Sequence, residues 1–143
     1  MKKIYFLLIA LLLISCNFNQ IYKDRESDKK DGEKIPQKFY WELKYGANQD
    51  NIYKLFGEKF FTVTSKEKLT ELINMTQNKI GPVQEYNLVK SETMIVKGSN
   101  ARSEYIFIYN VKRGTENTEE IFTMEKNEDG DIKIVGYRVN QNF

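Results

Sequence analysis

The chain has 143 residues, with 22 basic and 20 acidic side chains, one cysteine and no histidine. Without histidine it lacks the commonest general base and the usual zinc ligands, and a lone cysteine has no intrachain disulfide partner. Nine tyrosines and nine phenylalanines leave the fold to rest on an apolar, aromatic core.

Lys2 and Lys3 open the chain, Ile4 to Ile14 is unbroken apolar sequence, and Leu13-Ile14-Ser15-Cys16 follows. A basic start, an apolar stretch of about 7–15 residues and a small residue at the cleavage point make a secretory signal. The stretch is shorter than the about 20 residues that a membrane span takes. The four residues ending at Cys16 resemble the lipobox of bacterial lipoproteins. That resemblance implies diacylation of the Cys16 thiol, cleavage before Cys16 and acylation, as with palmitate, of the new amine. The chain is then expected in the cell envelope, held to a membrane by its lipids and facing the periplasm or the cell surface. Each buried CH2 of an acyl chain stabilises that attachment by about 0.8 kcal/mol, so two or three chains hold firmly. Residues 1–15 are the signal peptide, and losing Lys2 and Lys3 leaves 20 basic against 20 acidic side chains. A formal charge of zero provides no basic excess for phosphate, so nucleic acid is not an expected partner.

From Lys23 to Lys34 the sequence KDRESDKKDGEK holds five bases, five acids and no apolar side chain. Such a segment buries too little surface to offset its ordering entropy. Residues 16–35 are therefore expected to be a lipidated cysteine followed by a disordered tether, and residues 36–143 a single domain.

Gln37–Tyr45 places Phe39, Tyr40 and Leu43 at helical spacing with Gly46 as a stop. Asn51–Phe61 repeats the spacing, interrupted by Gly57. A third helix follows a capping box, Thr64-Ser65-Lys66-Glu67, and carries Leu69, Leu72, Ile73, Thr76 and Ile80 on one face until Gly81-Pro82. Its Leu72 and Ile73 are expected to pack on Phe107, Tyr109 and Phe122. The period then changes to that of strands: Tyr86–Lys97 with a bend at Ser91-Glu92, Glu104–Val111, Glu119–Glu125 and Asp131–Val139. Gly98-Ser99-Asn100, Arg113-Gly114-Thr115 and Asn127-Glu128-Asp129-Gly130 are the turns. Helices followed by a four-stranded antiparallel meander make an α+β fold.

Trp41-Glu42-Leu43, Tyr53, Phe56, Phe60-Phe61, Ile80-Gly81, Glu119-Glu120 and the stretch from Glu128-Asp129-Gly130 to Val135-Gly136-Tyr137 carry a further resemblance. Over residues 38–140 the chain resembles an exported bacterial domain family with the cystatin-like or nuclear-transport-factor-two-like fold. The resemblance implies a curved sheet wrapped around a helix, leaving a conical pocket. One departure is that Ile132 and Ile134 stand where that family often has a tryptophan. In enzymes of this superfamily an acid and a tyrosine line the cone, which makes Glu119, Glu120, Tyr105, Tyr109 and Tyr137 the catalytic candidates here. Solvated acids are ordinary at a strand start, however, and no phosphate loop, nucleophile elbow or acidic metal motif is present. Glu128, Asp129 and Asp131 lack the spacing of a calcium loop and read as a plain turn. The expectation is a non-catalytic chain without cofactor or metal. Its concave face, lined by Tyr105, Phe107, Tyr109, Phe122 and Tyr137, would hold a small apolar ligand or adjoin a partner protein. The alternatives are a cone-pocket enzyme and an immunity or inhibitor lipoprotein acting through a surface edge.

Overall fold

The computed structural model of the chain describes residues 19–46 and 48–141. The expected signal segment and Cys16 lie outside the described residues. Among those described, no helix is long and apolar enough to cross a membrane.

The largest departure from expectation is at the start. A strand, β1 (Gln20–Lys23), and a helix of 20 residues, α1 (Glu26–Tyr45), occupy the stretch expected to be a tether. Asp24 joins them in a left-handed conformation, φ 51°, which aspartate tolerates better than most residues. Its N–H donates to the Thr93 carbonyl at 2.9 Å and its Oδ1 accepts from the Thr93 N–H at 3.0 Å. Arg25 then forks onto Asp28 at 2.6 and 3.0 Å. Glu26 and Asp28 in the first turn and Lys44 in the last complement the helix dipole.

Composition misleads here because a docked helix needs only one covered face. Asp28, Gly32, Pro36, Phe39 and Tyr40 follow at helical spacing and all are buried. Gly32 makes the closest approach: a Cβ there would lie 2.8 Å from Tyr105 Cδ1 and 2.9 Å from Phe107 Cε2. The helix rests on those rings through the absence of a side chain, which no hydrophobic pattern reveals. Pro36 lies within α1, where it cannot donate to the Gly32 carbonyl, so it does not mark the start of the domain.

Two short helices, α2 (Gln49–Tyr53) and α3 (Glu58–Phe61), replace the single helix expected over 51–61. Between them the chain zips onto the sheet: Ile134 N–H donates to the Leu55 carbonyl, and Gly57 N–H to the Ile134 carbonyl, both at 2.9 Å. The third expected helix forms as α4 (Lys66–Lys79), capped by Ser65 and not Thr64; Ser65 Oγ accepts from Lys68 N–H at 3.2 Å.

Four strands follow as read, each longer than expected: β2 (Val83–Lys97), β3 (Arg102–Arg113), β4 (Glu116–Lys126) and β5 (Ile132–Gln141). With β1 they make a five-stranded antiparallel sheet in the order β1-β2-β3-β4-β5. Between Leu88 and Lys90 the β2 register slips, leaving Val89 as a bulge just before the expected bend.

One face of the sheet carries the core. Tyr105, Phe107, Tyr109 and Val111 of β3 and Phe122 and Met124 of β4 are fully or almost fully buried beneath α1. Phe39 meets Phe122 edge-on at 5.4 Å, and Tyr40 meets Tyr109 and Phe122 at 5.4 and 5.6 Å. Phe39 and Tyr40 of α1 thus contact the rings that Leu72 and Ile73 of the third helix were expected to cover. In α4 the buried apolar residues are Leu69 and Ile73, while Leu72 is half-buried and faces Val139 across a surface hollow.

Candidate functional site

Strand alternation separates the two adjacent acids of β4. Glu119 lies on the outer face, half-buried, and accepts from Asn140 Nδ2 at 3.2 Å. Glu120 points inward with Thr118 and Phe122 and is completely buried. The β3–β4 hairpin pairs Tyr109 with Glu120 and Arg113 with Glu116, so Arg113 and Glu120 occupy the same inner face.

Glu120 is saturated with donors. Its Oε1 accepts from Arg113 Nε at 2.7 Å and from Thr118 Oγ1 at 3.1 Å. Its Oε2 accepts from the Tyr137 hydroxyl at 2.7 Å and the Tyr40 hydroxyl at 3.2 Å. Arg113 is 1% exposed, and its Nη1 also donates to the Gly81 carbonyl at 3.3 Å. Gly81 closes this end with φ 121°, and a Cβ there would lie 3.0 Å from the Gly114 nitrogen. Two turns, α4–β2 and β3–β4, therefore meet back to back over the guanidinium.

The electrostatics follow from that geometry. Burial pushes the Tyr40 phenol far up, and the Glu120 charge adds to the shift. Tyr137 is raised by the same two causes in the same order, so both phenols stay protonated as donors. Burial disfavours the Arg113 charge, but the hydrogen bond and charge of Glu120 outweigh it and the net direction is upward. Breaking such a buried pair by removing one partner costs about 3–5 kcal/mol, because the survivor is left uncompensated.

Of the acids and tyrosines expected to be candidates, the fold brings Glu120 and Tyr137 together and leaves the others apart. Glu119 is on the opposite face. Tyr105 and Tyr109 are buried with hydroxyls that find no hydrogen-bond partner among the described residues. Burial, then Asp28 and Asp31, pushes the Tyr105 phenol up to about 12. Tyr109 is raised as well, by burial first and then by Glu33. Phe107 and Phe122 are 0% exposed, so with Tyr105 and Tyr109 they form packed core under α1 rather than the lining of an open cone. The main surface hollows lie elsewhere, as between α2 and α4 around Tyr53, Thr70 and Met75. Among the described residues no cluster of His, Cys, Asp and Glu could hold a metal ion.

Sequence reading missed Arg113, taken as part of a strand break, and Tyr40 and Thr118 as partners of a carboxylate. The signal was present: with the turn at Gly114-Thr115, alternation places residues 109, 111, 113, 118 and 120 on one face. An arginine and a glutamate on one buried face have to meet.

Compared with known proteins, the chain matches no family model, no curated protein and no solved structure.

Proposed function

We propose that this protein is a lipid-anchored, non-catalytic interaction module of the bacterial cell envelope, whose partner is another protein. The observation that carries the reading is the filled inner face of the sheet: α1 covers it, with Phe39, Tyr40, Phe107, Tyr109 and Phe122 packed together. A small apolar ligand has no room on that face, so binding falls to the surface. The long helix on a β-meander suits the cystatin-like or nuclear-transport-factor-two-like reading, with the helix occupying the cone. The lipobox ending at Cys16 supports the anchor. The saturation of Glu120 argues against a general base, since its oxygens are occupied by four donors, Arg113 among them, and the side chain is completely buried away from any substrate.

A second reading, an immunity or inhibitor lipoprotein, is favoured by the open edge of β2. β1 pairs only with Met94–Lys97, so no strand among the described residues pairs with the outer edge from Gln84 to Glu92. Leu88 and Val89 are exposed along it, and an open edge is a common place for an added strand. The test has two arms. Fatty-acid labelling should mark the wild type and not Cys16→Ser; equal labelling would overturn the anchor. A photo-crosslinking amino acid at position 89 should trap one discrete envelope protein in intact cells, and at position 110 of the outer face none. Adducts at neither position would overturn the edge as the docking place.

A further inference from the structure

The outward face of α1 carries Lys30, Lys34, Lys38, Trp41 and Tyr45 in steps of four, four, three and four residues. Those steps keep the side chains on one stripe of a helix, roughly 22 Å long at 1.5 Å per residue. All five are exposed, Trp41 by 54% and Tyr45 by 68%. The stripe cannot turn inward, because Gly32, Pro36, Phe39 and Tyr40 fix the other side of α1 on the sheet. The only tryptophan of the chain therefore sits in water beside three cations, and its ring packs against Tyr45 at 6.2 Å.

We propose that this face of α1 lies against an anionic lipid surface. Lysines attracted to lipid headgroups, with tryptophan and tyrosine at headgroup depth, are what a helix lying in a membrane interface presents. Asp31, next to Lys30 in the chain, pairs with Lys34 at 2.8 Å, but both side chains are more than half exposed. Such a pair is weak and opens readily. The chain after the signal has no net charge, so the attraction is confined to the stripe and sets an orientation. The distance to the bilayer is set by the anchor, and this step rests on the lipid-anchor reading. Cys16 stands three residues before Asn19, a reach of roughly 10 Å. Asn19 is itself held to the β2–β3 turn by Ser99 and Asn100, at 3.4 and 3.3 Å. An acylated Cys16 would hold the domain within reach of the headgroups, and the stripe would decide which side faces them.

Trp41 is its own probe. The full processed protein is reconstituted into vesicles of phosphatidylcholine, with or without phosphatidylglycerol. Its emission and its quenching by lipids brominated in the acyl chain are then followed. With phosphatidylglycerol the emission should move to shorter wavelength and the bromines should quench it; molar salt should reverse both. In phosphatidylcholine alone Trp41 should stay water-exposed. Lys30→Gln, Lys34→Gln and Lys38→Gln together should lower the ratio of docked to free domain by on the order of a hundredfold, about fivefold for each lysine. An unchanged urea midpoint would show that the triple variant is folded. Trp41 emission that ignores phosphatidylglycerol would overturn the proposal. So would a shift that appears without vesicles and grows with protein concentration, which would mean that a second copy covers the face. Acylation is read separately from the mass of the N-terminal peptide. A chain without acyl groups whose Trp41 still responds to anionic vesicles would sink the anchor and leave the face standing.

Discussion

Replacing Arg113 with methionine tests the central network. Methionine keeps much of the aliphatic stem and removes the guanidinium that donates to Glu120 Oε1 at 2.7 Å and to the Gly81 carbonyl at 3.3 Å. Glu120 is 0% exposed, so its charge would lose its only ionic partner among the described residues, with no access to water. Three donors, Thr118, Tyr137 and Tyr40, would remain and soften the loss. Breaking a buried pair from one side costs about 3–5 kcal/mol, and the remaining donors place the expectation near the lower end. With a urea slope of about 1–3 kcal/mol per molar for a small domain, a loss of about 3 kcal/mol should lower the midpoint by roughly 1–3 M. Arg113→Met combined with Glu120→Leu should recover much of that loss, because the uncompensated charge is gone. The assay is equilibrium urea unfolding followed by circular dichroism. A single variant that loses less than about 1 kcal/mol, or a double variant as unstable as the single, would refute the account of a buried pair kept for mutual compensation.

The tyrosines should divide by partner. Tyr105→Phe and Tyr109→Phe remove hydroxyls that have none among the described residues and should leave the urea midpoint unchanged or raise it. Tyr137→Phe should lower stability by about 1.5–3 kcal/mol, the range for a hydrogen bond to a charged group. Tyr40, Tyr105, Tyr109 and Tyr137 all have phenols raised in the folded chain, with burial the leading cause. The unfolded chain therefore loses those protons first. The phenols' contribution to stability should be flat below about pH 10 and fall as pH rises toward 12, and Tyr105→Phe should make that fall shallower. In α4, Leu69→Ala should cost about 2–5 kcal/mol and the half-buried Leu72 clearly less, by urea midpoint. Gly32→Leu should destabilise the fold by at least the about 1–3 kcal/mol of an overpacked core, with new protease cleavage between Lys23 and Lys34. A variant as resistant as the wild type would mean that α1 does not rest on Tyr105 and Phe107.

Four of the sheet's five strands were legible because their signals are local, whereas β1 lay in the stretch read as a tether. Alternation in Tyr105–Val111 and Phe122–Met124, and glycines at 98, 114 and 130, were enough to give four strands and their order. All three glycines adopt positive φ, as such turns require. The helical layer was read in part. Phe39, Tyr40 and Leu43 mark the C-terminal half of α1, yet its first half carries no apolar side chain before Ile35. Its docking comes from Gly32 touching two rings, from Pro36, and from Asp28 paired with Arg25. The rings that Gly32 touches, Tyr105 and Phe107, lie more than 70 residues away, on β3. A rule that equates charge with disorder fails wherever a backbone, rather than a side chain, makes the contact. The site was missed for a different reason: Glu119 and Glu120 look alike as neighbours, and only the turn at Gly114-Thr115 taken together with strand alternation assigns Glu120 to the face of Arg113.

α1 links these two halves of the problem, since its faces have opposite requirements. The inner face needs small and aromatic residues that match fixed rings, so substitutions there change stability. The outer face, with Lys30, Lys34, Lys38, Trp41 and Tyr45, makes little contribution to the core and is free to be selected for what lies outside. An exposed stripe whose three charges are all lysine is hard to explain by folding alone, because solvent-facing helix positions tolerate acids as readily as bases. The acids Glu26 and Asp28 sit in the first turn, where the helix dipole favours them. Beyond Asp31, on the exposed stripe, the charges are all positive. That polarity within one helix is the reason for placing the membrane on the outer side of α1 and a protein partner at the open edge of β2.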